Sequence, residues 1–198
     1  MHKLLIELPE KIETERLVMR PYRPGDGKAY FDVCQRNKGH LAQFEAGNPI
    51  HDVNTLEEAE ILVRQFALSW FKREAFFLGC WLKSSGAFAA QIYIGPHNWR
   101  QPEFMIGYFA DVDHEGEGYV TEGIQAALKL CFVTLGATRV RLECNELNHR
   151  SIKLAERVGF TREGFIRETH PDLMRQDGSP SGDFIYGLLR RDYLQMAS

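Results

Sequence analysis

The stretch that decides the fold is FMIGYFADVDHEGEGYVTEGIQAALKLCFVTLGATRVRLECNELNHRSIKLAERVGF, residues 104–160. It opens with an apolar run, Phe104–Val112, carrying Met105, Ile106, Tyr108 and Phe109 on both faces, which predicts a central strand. A glycine turn follows at Gly116-Glu117-Gly118. Behind it Val120, Ile124, Ala127, Leu128, Cys131 and Leu135 recur at helical spacing, so a helix is expected over 119–135, closed by Gly136. Thr138–Cys144 alternates, with Val140, Leu142 and Cys144 on one face and Arg139, Arg141 and Glu143 on the other. Asn148 then caps a short helix that ends at Gly159. The order strand, glycine turn, helix places backbone amides at a helix N-terminus beside the end of a strand. Such a terminus accepts an anion such as a pyrophosphate.

Outward from this stretch the chain stays readable. On the N-terminal side, Ala75–Leu82 and Phe88–Ile94 form an expected β-hairpin, with Gly95–Pro102 as a polar loop. Thr55-Leu-Glu-Glu58 is a capping box ahead of Ala59, Leu62, Val63 and Phe66. Lys28–Cys34 reads as helical, and Arg16–Arg20 as a short strand. On the C-terminal side, Phe160–Glu168 and Phe184–Leu189 read as a last strand pair, with Pro171–Gly182 a long, polar, mobile connection. The expectation is one α/β (α+β) domain over residues 1–198, its sheet mixed but largely antiparallel.

Composition bounds the function. The chain has 198 residues, 44% of them hydrophobic and 26% charged, with net charge −3. The absence of a basic block argues against nucleic acid as a partner. No apolar run approaches the roughly 20 residues that span a membrane, and the charged start does not read as a signal peptide. Cys34, Cys80, Cys131 and Cys144 form no Cys-x-x-Cys pair, so the expectation is reduced thiols in a cytoplasmic protein, with no metal. His114-Glu115 is not a zinc motif, because Gly118 stands where a second histidine is needed.

Together the pieces resemble the GNAT superfamily of N-acetyltransferases, and within it the branch that acetylates the N-termini of ribosomal proteins and related small substrates. The resemblance rests on Thr14-Glu-Arg-Leu-Val-Met-Arg-Pro21, Ile106-Gly-Tyr108, His114-Glu-Gly-Glu-Gly-Tyr119 with Thr121-Glu122, Asn148-His-Arg-Ser151, Val158-Gly-Phe160, Glu163-Gly164 and Phe184-Ile-Tyr186. It implies a sheet with two splayed central strands flanked by helices, and acetyl-CoA as co-substrate in the opening. The pantetheine arm would lie along Tyr108, Phe109 and Ala110 and contact Asn148. The pyrophosphate would lie on the amides of Gly116, Glu117, Gly118, Tyr119, Val120 and Thr121. The family's phosphate loop, Gln/Arg-x-x-Gly-x-Gly/Ala, falls here on Glu115, Gly118 and Val120. Glu115 and Glu117 therefore predict weaker or salt-sensitive binding.

The implied reaction is acetyl transfer to a primary amine, a peptide N-terminus or a small molecule, by direct attack. Ser151 occupies the place of a serine near the CoA sulfur; its simpler role is a local bond in the first turn of a helix. Asn148 likewise serves as a helix cap on the simpler reading. For the base, His170, Glu143 and Glu168 stay open, and a water relay is a fourth route. His170 stands where relatives carry a glutamate, and an imidazole of ordinary pKa near 6.5 suits an ammonium proton. Glu168 should face the same way two residues earlier. A non-catalytic CoA-binding protein of the same fold is the rival reading, and the fold family also allows a homodimer.

Overall fold

A computed structural model describes residues 2–196. Among these, eight strands form one sheet in the order β1-β2-β3-β4-β5-β6-β8-β7. In chain order they are β1 (Ile12–Glu13), β2 (Leu17–Pro21), β3 (Phe76–Leu82), β4 (Phe88–Asn98), β5 (Glu103–Ala110), β6 (Arg139–Asn145), β7 (Thr161–Met174) and β8 (Pro180–Leu189). Five α-helices accompany them: α1 (Gly27–Leu41), α2 (Leu56–Lys72), α3 (Tyr119–Lys129), α4 (His149–Arg157) and α5 (Arg190–Met196). Every strand pair is antiparallel except β5 with β6. That parallel pairing covers only Glu103–Met105 against Arg139–Arg141. Beyond it β5 keeps only β4 and β6 keeps only β8, so the two strands part in a V.

Strand alternation splits the core into two layers. Leu78, Ile92, Phe104, Ile106 and Val140 pack with Ile124, Ala127 and Leu128 of α3 and with Cys131 just beyond it. The opposite layer holds Phe88 and Phe109 against Tyr30, Val63 and Phe66 of α1 and α2. The capping box forms as expected: Thr55 Oγ1 accepts from the Glu58 amide at 3.1 Å, and Glu58 Oε2 accepts from the Thr55 amide at 2.9 Å. Glu60 of α2 accepts from the amides of Gly25 and Gly27 at 2.9 and 3.1 Å, which holds the start of α1.

Four expectations are corrected. The 171–182 segment is not a long loop. β7 and β8 continue into it and turn at Arg175–Ser179, where Gly178 has φ +81°. The Arg175 amide donates to Ser179 O at 2.8 Å and the Gly178 amide to Arg175 O at 3.1 Å, so the backbone satisfies itself. Asp177-Gly178 is a strong hairpin turn pair, and it decides the local structure. β4 likewise runs on through Gly95 to Asn98 because β5 pairs with it that far. The helix expected over 119–135 turns into a π-helix at Leu130–Thr134, with the Leu135 amide donating to Leu130 O, before Gly136 at φ +71°. The helix read over 28–34 extends to Leu41, and α5 was not anticipated.

Candidate active site

The V between β5 and β6 is framed by two helix starts. Gly116 and Gly118 hold φ of +79° and +81°, a left-handed backbone that lets the chain turn into α3. The first intrahelical bond runs from the Glu122 amide to Gly118 O, so the Tyr119, Val120 and Thr121 amides have no helical acceptor. Arg16 lies beside this turn. Its Nη1 donates to Glu117 O at 2.9 Å, its Nε pairs with Glu122 at 2.7 Å, and its guanidinium covers the Tyr119 ring at 4.5 Å. Glu115 is engaged by Arg150 at 2.8 Å and by His40 Nε2 at 3.0 Å, so its charge is partly met by the Arg150 guanidinium. Glu117 is exposed. Open amides, a cation and a Cβ-free approach at Gly116 fit a pyrophosphate, and the V fits an extended arm.

At the notch, Tyr108 Oη and Ser151 Oγ lie 2.7 Å apart. Asn148 brings Ser151 there by capping α4, its Oδ1 accepting from the Ser151 amide at 3.1 Å, which leaves the Asn148 amide nitrogen for other partners. Burial pushes the Tyr108 phenol above its usual value, against a smaller relief from Ser151. Burial likewise raises the Cys144 thiol to about 11, so this thiol stays protonated.

On the α1–α2 side of the sheet a cleft of about 760 Å³ adjoins the notch. Residues 42–49 form one wall, 169–173 the other, and Gln91, Tyr93, Gly107, Tyr108 and Phe109 lie between. Here Glu45 is half-buried, and burial pushes its carboxyl up to about 7, with smaller opposing contributions from Asn48 and His170. His170 also lines the cleft, and its Nε2 meets Asp183 Oδ1 at 2.9 Å. With the imidazole neutral and Nε2 protonated, that carboxylate holds the ring and leaves Nδ1 as a lone-pair site.

A bulge makes this possible. Between Ile166, opposite Asp183, and His170, opposite Ser181, β7 carries two more residues than β8. Glu168 takes φ +57° inside it. The strict alternation that would align Glu168 with His170 is therefore broken, and Glu168 is exposed.

The structure brings Ser151, Tyr108 and Asn148 together at the notch and His170 to the cleft. Phe109 lines the cleft, Ala110 ends β5, and residues 116–121 form the α3 entry. Glu143 is placed apart: it is exposed on β6, accepts from Arg141 Nη2 at 2.9 Å and does not line the cleft. Sequence reasoning missed Glu45, Asp183 and the Tyr108 hydroxyl. Glu45 lies in a connection with no periodicity, and only its position after the first helix and beside Gly47-Asn48-Pro49 marks it as a loop residue. Asp183 is recognisable only once its β8 position opposite β7 is known.

Residues 16–161 match the family described as acetyltransferase (GNAT) domain. The chain is similar to the uncharacterised N-acetyltransferase YoaA of Bacillus subtilis, 23% identical over 179 residues, covering 90% of this chain and 96% of that one. Among solved structures it resembles RimL, a ribosomal L7/L12 alpha-N-protein acetyltransferase in complex with coenzyme A. The two are 20% identical with a TM-score of 0.79, over 91% of this chain and 98% of the other. It also resembles MccE, a microcin C7 self-immunity acetyltransferase in complex with acetyl-CoA and AMP, at 19% identity and TM-score 0.78, over 92% and 97%. At these identities the structural likeness is one of fold.

Proposed function

This chain belongs to the GNAT acetyltransferase family, and from that premise we propose that it transfers acetyl from acetyl-CoA directly to a primary amine seated in the cleft. The observation that carries the reading is the double position of Tyr108. Its hydroxyl meets Ser151 at the notch, and the same residue lines the cleft that holds Glu45 and His170. Thioester and amine would meet at this residue.

Acetyl-CoA supplies the activated acetyl group; the chain's residues position and exchange protons. The α3 amides, with Arg16 beside them, hold the pyrophosphate, and the Asn148 amide nitrogen donates to the pantetheine arm. Glu45 or the Asp183-held His170 takes the ammonium proton, freeing the lone pair that attacks. A carboxyl near 7 matches that task better than an ordinary one near 4.3. The Tyr108–Ser151 pair serves the departing thiolate as a hydrogen-bond donor. Full proton transfer from a phenol held above about 10 to a thiolate of pKa near 8.5 is uphill. The thiolate proton then comes from the amine or from water.

The acceptor is a peptide N-terminus or a small amine. RimL and MccE are described as acetyltransferases for a ribosomal protein and for self-immunity, respectively. Four buried free cysteines support a reducing, cytoplasmic setting. The engagement of Glu115 by Arg150 and His40 weakens the case for a non-catalytic CoA binder.

The test is initial-velocity kinetics with acetyl-CoA and a panel of N-terminally free peptides and small amines, following thiol release and product mass. Intersecting lines and a mass gain of one acetyl group are expected. Parallel lines, diagnostic of a covalent acetyl-enzyme, would overturn direct attack, and acetyl-CoA binding without transfer to any amine would favour the non-catalytic reading.

A further inference from the structure

We propose that Gln91 is the specificity-determining residue of the cleft: its side-chain amide nitrogen reads a hydrogen-bond-accepting oxygen on the acceptor amine. The inference rests on the acetyltransferase reading above and narrows its acceptor to the α-amino amide class with an apolar side chain.

Gln91 sits on β4 and is only 3% exposed, yet it lines the cleft. Its Oε1 accepts from Tyr22 Oη at 2.7 Å and from Tyr30 Oη at 3.0 Å. Both tyrosines are buried at 2% exposure, and burial keeps both phenols protonated and so able to donate. A carboxamide oxygen has two lone pairs, and both are used. The opposite amide orientation would turn two N–H donors toward two phenols and leave the phenol hydrogens to be placed elsewhere. The tyrosines therefore fix Gln91 with its nitrogen toward the cavity. No protein acceptor meets that nitrogen among the described residues' hydrogen bonds. Nor is it among the fully enclosed side-chain atoms without a partner, of which Arg73 Nε is the only one among the described residues. It follows that Nε2 borders the cavity and offers two donors to whatever occupies it.

The rest of the cleft completes the recognition. Phe77, Tyr93 and Phe109 present apolar surface beside Gln91. Glu45 and His170, on the walls, meet the amine. An acceptor that satisfies all three needs an amine, an apolar body and an oxygen that accepts. A plain alkyl or aralkyl amine satisfies two and leaves the Gln91 donors unpaired when it displaces water.

The experiment compares phenylalaninamide with phenethylamine, which lacks only the carboxamide. Calorimetry gives their affinities for the CoA-saturated protein, and thiol release gives their acetylation from acetyl-CoA. Wild type is compared with Gln91→Glu, which retains an acceptor for both tyrosines but loses the donors. A second variant, Tyr22→Phe with Tyr30→Phe, leaves Gln91 in place and frees its orientation. The affinity ratio of amide to amine is expected to fall about 10-fold in Gln91→Glu, the scale of one lost hydrogen bond, and partway in the double variant. Differences in amine basicity cancel in this comparison of ratios. An unchanged ratio in both variants, or failure of both amines to bind wild type, would overturn the proposal. A falling ratio without any acetylated product would leave Gln91 its role and sink the acetyltransferase reading. Acetylation of both amines with an unchanged ratio would do the reverse.

Discussion

Arg36→Met should be among the most damaging single changes outside the hydrophobic core. Asp111 follows the last residue of β5, and its side chain is fully buried. Arg36 of α1 grips it through Nε, at 3.1 Å to Oδ1 and 2.9 Å to Oδ2, with Nη2 on the same Oδ2. Removing the guanidinium strands a buried carboxylate, a loss of about 3–5 kcal/mol. Two contacts remain, from Asn37 Nδ2 at 3.3 Å and from the Asp113 amide at 3.1 Å, and they hold the loss to the lower end, about 3 kcal/mol. For a chain of this size that corresponds to a fall in Tm of roughly 6–12 °C. The assay is urea unfolding of wild type, Arg36→Met, Asp111→Asn and the double variant. Because the loss comes from an unpaired charge, Asp111→Asn in the Arg36→Met background should recover more than about 1 kcal/mol. A loss below about 1 kcal/mol for Arg36→Met, or a double variant no better than the single one, would refute the reasoning. Asp111 opens the connection that leads from β5 to the α3 entry, so acetyl-CoA affinity should fall along with stability.

Three further outcomes are expected. Glu45 has a folded value of about 7 against an ordinary 4.5, so the stability it contributes is complete below about 4.5 and is lost as pH rises through 7. Glu45→Gln should therefore unfold at higher urea than wild type at pH 8, with the advantage vanishing by pH 4.5, while acetyl transfer falls by about 100-fold or more; an advantage equal at both pH values would contradict the assignment. Tyr108→Phe and Ser151→Ala should each lower kcat by about 100-fold with little change in KM for acetyl-CoA, and the double variant should be no worse than either; additive losses would mean that the two hydroxyls act separately. At Glu168, φ +57° should make Glu168→Val less stable than Glu168→Gly by about 1 kcal/mol or more in thermal melts; equal melts would show that the bulge relaxes freely.

The elements of the 104–160 stretch are legible in the sequence because their signals are local. Val120, Ile124, Ala127 and Leu128 repeat at helical spacing, and Gly116, Gly118 and Gly136 stand where positive φ is required. The V is not local. It arises because β5 and β6 share only three residues of register, and no spacing within either strand encodes that. The same holds for the cleft. Glu45 and His170 lie 125 residues apart in sequence, and a β-bulge at Glu168 is needed to turn His170 toward Asp183. Burial raises the Glu45 carboxyl, and burial is a property of the packed walls rather than of the Phe44-Glu45-Ala46 tripeptide. The missed hairpin differs in kind. Asp177-Gly178 is a turn signal in plain view, outweighed by the polar composition of the segment around it.

Calorimetric titration of acetyl-CoA into wild type and Gly118→Glu, at low and moderate salt, tests the central claim most directly. Gly118 has φ +81°, and a Cβ there would lie 3.5 Å from Arg16 Nη2, so a glutamate at this position strains the turn and sets a carboxylate beside the anion site. Specific micromolar binding to wild type, abolished in Gly118→Glu, is the predicted result. Absence of binding to wild type at both salt concentrations, or equal binding to both proteins, would contradict the placement of the pyrophosphate on the α3 amides and the acetyl-transfer chemistry built on it.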